Sequence, residues 1–153
     1  MTSCSVWVDA DSCPVAAKEL IIRFAKRLTL QTHFVANRNI PLPSLPIFLM
    51  HITDNTENAA DDFIVENSNE NDIVITRDIP LAARLIEKNI TVLSDRGKLY
   101  TPENIRENLS FRNFNLKLIE NGISEQKVGA YSKKDSNDFA NCFDKELQKK
   151  LKS

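Results

Sequence analysis

Aspartates recur in this sequence at places where a catalytic or metal-binding carboxylate would be expected. Each of them follows a short apolar run or stands near the start of a helix-like segment, and they are Asp9, Asp11, Asp61, Asp62, Asp78 and Asp95. Carboxylates gathered at one place repel each other and have raised pKa values unless a cation neutralises them. A hard divalent ion, Mg²⁺ or Mn²⁺, takes oxygen ligands and is the cation that such a group would hold.

A divalent ion bound in this way points to hydrolysis of a phosphodiester. The ion lowers the pKa of a coordinated water and stabilises negative charge on a phosphoryl group. A different interpretation exists for each aspartate taken singly, because an Asp after a strand is often a helix N-cap or a turn residue. The recurrence at three successive strand ends favours the metal site.

The elements that must position these aspartates alternate between strand-like and helix-like patterns. The predicted strands are Val6–Val8, Thr32–Ala36, Ile47–Ile52, Asp72–Thr76 and Thr91–Leu93. The predicted helices run from Pro14 to Leu28, from a capping box at Asp54 and Glu57 through Ile64, from Pro80 through Leu85, from Pro102 to Leu109, and through Phe139, Phe143 and Leu147. Such alternation predicts an α/β fold with a central, mainly parallel sheet and C-terminal helices. The stretch from Phe111 to Ile119 is ambiguous, and a polar loop is expected around Gly129.

In a parallel sheet the carboxyl ends of all strands lie along one edge, where ligands bind. The aspartates that follow the strands are therefore expected to converge at that edge.

Length and composition are those of one globular domain over residues 1–153. The chain is 42% hydrophobic and 27% charged with three Gly and six Pro, which excludes collagen-like and wholly disordered chains. Cys4, Cys13 and Cys142 form no CxxC pair, so neither a disulfide framework nor a zinc ribbon is predicted. No basic leader and no apolar run of about 20 residues is present, and we expect a cytoplasmic protein with no membrane partner.

The formal net charge is −1, so no global positive field indicates a nucleic-acid partner. The charge is unevenly distributed, however. Residues 51–95 hold ten acidic and three basic residues, a net −7, whereas residues 96–134 hold eight basic and four acidic ones, a net +4. A cation-loaded site with a phosphate-holding rim is one interpretation, and ordinary solvated surfaces are the other.

Three ordered motifs carry a family resemblance that spans nearly the whole chain. They are VDADSCPV at residues 8–15, DIVITRDIPLA at residues 72–82, and Arg96-Gly97 with Tyr100. Together with Ala60-Asp61, these motifs resemble the YaiI/YqxD family of bacterial proteins. That family is similar to PIN-like domains, which are three-layer Rossmann-like α/β folds whose best-known members are Mg²⁺- or Mn²⁺-dependent ribonucleases. The resemblance implies RNA or a related phosphodiester as the substrate.

The resemblance also implies roles for particular residues. Asp9 would be the first acid, Asp61 the helix acid and Asp78 the acid after the DIVIT strand. Asp95 stands where many PIN domains have their last acid, although the YaiI/YqxD pattern does not require one there. The implied metal ligands are thus Asp9, Asp61, Asp78 and Asp95, with Asp11 assisting catalysis and Asp62 a substitute for Asp61. Arg77, Arg96 and Lys98 are the residues expected to bind phosphate.

Two alternatives remain open at this point. Asp9-x-Asp11 after an apolar strand is similar to the first motif of haloacid-dehalogenase-like phosphatases, in which the first Asp attacks phosphorus. Those enzymes place their acidic pair late, whereas Asp61 and Asp62 precede Thr76. A non-catalytic binding module for nucleic acid or nucleotide phosphate could instead hold phosphates with Arg77, Arg96, Lys98 and Arg112.

Four further residues have both a functional and a structural interpretation. Cys13 precedes a helix start, where the helix dipole could lower the pKa of its thiol, but close packing of a small residue is the preferred interpretation. Tyr100 could stack on a base, and packing under a loop is again preferred. His33 and His51 are not at metal-ligand spacing, so we interpret them as structural or surface histidines.

Overall fold

Strands and helices alternate along the chain as the apolar patterns predict. The computed structural model describes residues 4–56, 58–107 and 130–152. In chain order its elements are β1 (Ser5–Asp9), α1 (Val15–Leu28), β2 (Gln31–Ala36), β3 (Phe48–Ile52), α2 (Ala59–Asn67), β4 (Ile73–Ile75), α3 (Ile79–Glu87), β5 (Thr91–Leu93) and α4 (Lys133–Leu151). A short 3₁₀ turn, Ala10–Ser12, connects β1 to α1, and residues 102–107 are helical.

The five strands form one sheet in the order β3-β2-β1-β4-β5, and every neighbouring pair is parallel. The prediction of an α/β fold with a parallel sheet is confirmed. From β1 the chain adds strands toward one edge and then returns to place β4 on the other side of β1. This reversal of strand order creates a crevice outside the carboxyl ends of β1 and β4, which is where open α/β sheets bind ligands.

Helices cover both faces of the sheet, so the fold has three layers and is Rossmann-like. Because side chains alternate along a strand, Val6 and Val8 belong to the core that also contains Phe24 of α1 and Phe143 of α4. Trp7 belongs to the opposite core, which includes residues of α2 and α3. Burial on both faces explains why β1 and β4 have continuous apolar sequences.

The largest difference from the predicted elements concerns the start of α2. The predicted capping box places the start near Asp54, whereas α2 begins at Ala59. Asn58, with φ of 67°, is the N-cap, and a turn bond from the Ala59 N–H to the Thr56 carbonyl precedes the helix. Because this turn comes first, Asp54 stays in the loop; Glu57 lies outside the described residues.

Several other predictions fall partly or wholly outside the part of the chain that the structure describes. The helix expected over Pro102–Leu109 is seen at residues 102–107, and its end, the stretch 111–119, Arg112 and Gly129 are not described. Within the described ranges, no helix combines the length and the apolar character needed to cross a bilayer.

Asp72 links the amino-terminal ends of β1 and β4. Its carboxylate accepts hydrogen bonds from the Ser5 N–H at 3.1 Å, the Trp7 indole N–H at 3.0 Å and the Asn69 N–H at 3.1 Å. Asp72 is 3% exposed, and three donors satisfy its buried charge. This aspartate therefore stabilises the edge of the sheet opposite the predicted site.

Gly97 lets the turn after β5 pack directly against α4. It has φ of 85°, and a Cβ placed on it would lie 2.4 Å from the backbone carbonyl carbon of Asp138. Both the left-handed conformation and the close approach require glycine at this position. The same turn precedes the bridge between Leu93 and Leu99, so Gly97 couples the end of the sheet to α4.

We expect Gly97→Ala to lower the free energy of unfolding by more than about 2 kcal/mol, because left-handed strain and backbone overlap act together. Urea denaturation monitored by circular dichroism measures the change. Asn89→Ala is the matched control, since Asn89 has φ of 62° and is exposed, so it tests the strain alone at about 1 kcal/mol. Equal losses in the two variants would show that the contact with α4 contributes nothing.

Candidate functional site

A cleft of about 500 Å³ lies at the carboxyl edge of the sheet, at the reversal point between β1 and β4. It is bounded by the residues that follow β1, β2, β3 and β4 and by the amino-terminal ends of α2 and α3. Its lining consists of Asp9, Asp11, Ser12, Asn37, Thr53, Asp54, Thr56, Asn58, Ala59, Ala60, Asp61, Arg77, Asp78, Ile79 and Pro80. The predicted residues Asp9, Asp11, Asp61, Arg77 and Asp78 are therefore brought together.

Thr76 connects two of the predicted acids, Asp9 and Asp78. Its hydroxyl donates a hydrogen bond to Asp9 Oδ2 at 2.8 Å and accepts one from the Asp78 backbone N–H at 3.0 Å. Thr76 is 2% exposed, so this hydroxyl is inside the protein rather than in the cleft. It fixes the carboxylate at the end of β1 relative to the turn that follows β4.

Asp78 is both a cleft residue and the N-cap of α3. Its Oδ1 accepts a hydrogen bond from the Leu81 N–H at 3.0 Å, and Pro80 stands in the first turn of the helix. The cap interpretation of an Asp after a strand therefore holds for Asp78. Only Oδ1 is used, so capping leaves the second carboxylate oxygen of Asp78 without a hydrogen bond among the described residues.

The carboxylates of the cleft destabilise each other's charged forms. Burial raises the pKa of Asp9, and the charges of Asp78 and Asp11 raise it further, while Thr76 and Arg77 oppose the shift. Burial raises the pKa of Asp61 to about 6, again with contributions from Asp78 and Asp9. Asp61 makes no hydrogen bond or ion pair with any residue in the described ranges. The cleft is thus a site of concentrated, incompletely compensated negative charge.

Asp11 lies on the cleft wall next to the loop after β2. One of its oxygens accepts a hydrogen bond from the Asn37 N–H at 3.0 Å, and the other lies 3.9 Å from the Arg38 guanidinium. One carboxylate oxygen of Asp11 therefore holds the loop that follows β2. Its position is consistent with an assisting role beside Asp9.

Two of the predicted acids lie elsewhere. Asp95 does not line the cleft. Its Oδ2 accepts hydrogen bonds from Nε and Nη2 of Arg77, at 3.1 and 2.9 Å. Asp62 forms an exposed ion pair with Arg84 at 2.9 Å, and Asp61 rather than Asp62 lines the cleft. Asp95 and Asp62 thus each have an arginine partner, and neither is among the residues that line the cleft.

The predicted phosphate-binding residues are divided between two places. Arg77 lines the carboxylate cleft. Arg96 and Lys98 border a separate cavity of about 420 Å³ between the turn after β5 and α4. Arg96 is 3.7 Å from Asp135 there. A phosphate in the carboxylate cleft would therefore meet Arg77 first.

The remaining sequence candidates have structural roles. Burial raises the pKa of the Cys13 thiol to about 12, so the thiol is protonated and the lowered pKa considered from the sequence is wrong. Tyr100 is 8% exposed and packs in the core beneath α2 and α3. His33 Nδ1 and His51 Nε2 are 2.8 Å apart, and His33 stacks on Trp7 with ring centroids 3.9 Å apart. These two histidines thus pair with each other across β2 and β3.

The side chains of the cleft can be matched to the coordination that a divalent ion requires. No three His, Cys, Asp or Glu side chains within the described ranges are close enough to form a ready-made metal cage. Mg²⁺, however, keeps several waters and is usually bound by one or two carboxylates and the substrate's phosphates. The cleft side chains that could coordinate a cation do so through oxygen, and five of the six charged residues of the lining are acidic, which fits such a partly hydrated ion.

Several cleft residues are not identified by the sequence analysis. The polar wall formed by Ser12, Asn37, Thr53, Thr56 and Asn58 is missed, and so is the buried Thr76 hydroxyl that joins Asp9 to the turn at Asp78. Their position in the sequence could have identified two of them: Asn37 and Thr53 directly follow β2 and β3, just as Asp9 ends β1. Polar residues after every strand of a parallel sheet are candidates for the binding edge.

Fold and site together define a Rossmann-like α/β protein with a carboxylate-lined cleft at the reversal point of a parallel sheet. A family profile described as "Uncharacterized BCR, YaiI/YqxD family" matches residues 7–149. The chain belongs to this family, as the motifs of the sequence indicate.

Curated relatives extend the match over the whole chain. A UPF0178 protein of Treponema denticola is 46% identical over 147 residues, covering 96% of this chain and 94% of the relative. A UPF0178 protein of Treponema pallidum is 42% identical, covering 97% and 84%. One from Aliivibrio salmonicida is 43% identical, covering 97% and 98%. No solved structure matches the chain.

The raised pKa of Asp61 predicts that Asp61→Asn stabilises the metal-free protein at neutral pH. The pKa of Asp61 is about 6 in the folded state, above the ordinary value of 3.8 that applies to the unfolded chain. Between these values the folded state holds a proton that the unfolded state has lost, so stability falls as pH rises through this window. After discounting for partial exposure, we expect Asp61→Asn to gain about 1–2 kcal/mol at pH 7.5 in EDTA.

The gain should disappear below pH 4, where the native Asp61 is protonated in both states. Urea denaturation across pH 3.5–8 measures both limits. Asp62→Asn is the matched control and should change stability by less than about 1 kcal/mol, because it removes only an exposed ion pair. A loss of stability by Asp61→Asn at pH 7.5 would contradict the repulsion described for the cleft.

Proposed function

We propose that this protein is a divalent-metal-dependent hydrolase of RNA or a related phosphodiester, with its reaction centre in the carboxylate cleft. The observation that carries the proposal is the convergence of Asp9, Asp61 and Asp78 on one cleft. The charge of Asp78 raises the pKa of both Asp9 and Asp61 there. Side chains that repel each other in this way destabilise the fold unless a bound cation compensates their negative charge.

The ion, Mg²⁺ or Mn²⁺, would be held by Asp9, Asp61 and Asp78. Thr76 binds one oxygen of Asp9, and the Leu81 N–H binds one oxygen of Asp78. Each of these two carboxylates therefore keeps one oxygen for a cation, while Asp61 keeps both. When bound, the ion supplies a water of lowered pKa and stabilises charge on the phosphoryl group.

The protein's own residues orient the reacting groups. Thr76 and the helix cap prevent Asp9 and Asp78 from rotating, which keeps their remaining oxygens in place. Arg77 is the cation on the cleft wall that a non-bridging phosphate oxygen would meet. The polar wall formed by Ser12, Asn37, Thr53, Thr56 and Asn58 offers amide and hydroxyl groups to a ribose or a base. Asp11 lies beside Asp9, where it would accept a proton directly or through water.

The fold class supports this reading of the site. PIN-like domains, which the family resembles, are Rossmann-like α/β folds that place acids at the carboxyl edge of a parallel sheet. The strand order β3-β2-β1-β4-β5 and the cleft position agree with that arrangement. RNA is accordingly the substrate class we propose, with Asp95 left out of the ligand set because it contacts Arg77.

A non-catalytic binding module is the second candidate. It is favoured by the lack of a ready-made three-residue cage within the described ranges and by the use of Asp78 as a helix cap. Such a module would bind phosphate through Arg77 without turning it over. Hydrolysis and binding must therefore be measured on the same variants.

The test measures Mg²⁺ and Mn²⁺ affinity by calorimetry and cleavage of a 5′-labelled single-stranded RNA by gel electrophoresis. We expect Asp9→Asn, Asp61→Asn and Asp78→Asn each to weaken metal binding. Each should also reduce cleavage about 100-fold or more, since water activation and charge stabilisation are lost together. EDTA should abolish cleavage by the unaltered chain.

Asp62→Asn is the control, because Asp62 neighbours Asp61 but pairs with Arg84 outside the cleft. It should retain cleavage within about threefold, as expected for loss of an exposed pair. Metal-dependent RNA binding without cleavage would identify the binding module. Hydrolysis of p-nitrophenyl phosphate with the RNA left intact would instead identify a phosphatase. If Asp78→Asn left both metal affinity and cleavage unchanged, Asp78 would have no part in the site.

A further inference from the structure

Arg77 and Asp95 form an ion pair, buried at its Asp95 end, beside the carboxylate cleft. Asp95 Oδ2 accepts hydrogen bonds from Nε and Nη2 of Arg77 at 3.1 and 2.9 Å. The Asp95 side chain is 4% exposed and that of Arg77 is 37% exposed. One end of the pair is therefore inside the protein, and the guanidinium extends to the wall of the cleft.

Asp95 is held more firmly than its contact with Arg77 alone would require. It follows β5 and a buried serine, and its backbone carbonyl accepts a hydrogen bond from the Tyr131 hydroxyl at 2.6 Å. Its Oδ1 has no hydrogen-bond partner among the described residues. A buried carboxylate oxygen without a hydrogen-bond partner is costly to the stability of the fold. A purely structural role therefore does not explain why an aspartate stands at this position.

Arg77 is the only basic residue among the described residues that line the cleft. Asp9, Asp61 and Asp78 line the same cleft, and each of them attracts a guanidinium. An arginine free to rotate would turn toward these acids and neutralise them. The fork of Arg77 is instead occupied by Asp95, which lies outside the lining. Asp9, Asp61 and Asp78 thereby stay without an arginine partner among the described residues, and Arg77 keeps one guanidinium edge for an anion.

We propose that Asp95 is a positioning residue, which holds Arg77 in the orientation that binds a substrate phosphate and keeps it from pairing with the cleft carboxylates. This inference rests on the proposed function and deepens it. Asp95 acts through Arg77 and does not bind the metal ion.

The experiment is a double-mutant cycle on the full chain with two probes. The first probe is a 5′-fluorescein single-stranded RNA, whose binding is measured by anisotropy in Ca²⁺; the second is Mn²⁺ alone, measured by calorimetry. Asp95→Asn should weaken RNA binding about tenfold, as supporting residues of a site commonly do. In an Arg77→Gln background the same substitution should change RNA binding and Mn²⁺ affinity less than about twofold, because Asp95 then has nothing to position.

Arg77→Lys provides a second background in case Arg77→Gln leaves Asp95 unpaired and prevents folding. The lysine keeps a cation for Asp95 but has no fork, so Asp95→Asn should again add little to its loss of RNA affinity. Asp144→Asn is the matched control, since it removes an acid–arginine pair with Arg27, 3.8 Å apart and remote from the cleft. It should leave both affinities unchanged.

Several results would overturn the inference. Asp95→Asn could reduce Mn²⁺ affinity tenfold in the Arg77 variants as well, which would make Asp95 a metal ligand. It could reduce RNA affinity equally in all backgrounds, or in none, which would remove the link to Arg77. Absence of RNA binding by the unaltered chain would overturn this inference together with the proposed function. RNA cleavage with an uncoupled cycle would overturn this inference alone.

Discussion

The pairing of β1 with β4 is the constraint on which the site depends. These two strands are parallel neighbours, although more than 60 residues separate them in the chain. Their carboxyl ends therefore lie side by side, and the Thr76 hydroxyl joins Asp9 to the turn at Asp78. A hydroxyl can donate one hydrogen bond while it accepts another. Because Thr76 does both, the two acids are held by one buried atom.

This arrangement brings together charges that the fold does not neutralise. Burial and neighbouring carboxylates raise the pKa of Asp9 and Asp61, so at neutral pH their ionised forms oppose folding. The buried charge of Asp72, at the amino-terminal ends of the same two strands, is compensated instead. Its carboxylate accepts hydrogen bonds from Ser5, Trp7 and Asn69. Asp72 stabilises the sheet, whereas the acids of the cleft are retained at a cost to stability. Such a cost is common at sites where ligands bind.

The sequence predicts the layers and the sheet edge because both follow from local patterns. Val6–Val8 and Ile73–Ile75 are continuous apolar runs, as strands buried on both faces require. The residues that follow them must then lie at the carboxyl edge. The start of α2 was not predictable in the same way, since the left-handed conformation of Asn58 follows no apolar period.

Side-chain partners lay beyond the reach of sequence patterns. Arg77 and Asp95 meet only because β4 and β5 are neighbours, and His33 meets His51 only because β2 and β3 are. Spacing places a residue at an edge but leaves open which neighbour its side chain turns toward. Asp95 was accordingly expected among the metal ligands, and its hydrogen bonds with Arg77 are a contact that spacing could not predict.

Two ion pairs of the same type show that burial, rather than distance, decides what a pair does. Arg77–Asp95 and Arg84–Asp62 both have nitrogen–oxygen distances of 2.9 Å. In the second pair both side chains are about half exposed, so water screens the attraction and the geometry is not enforced. In the first pair the carboxylate is buried, and loss of Arg77 would leave it as an uncompensated buried charge. Only the first pair can therefore impose a fixed orientation on an arginine, and it is the one whose arginine lines the cleft.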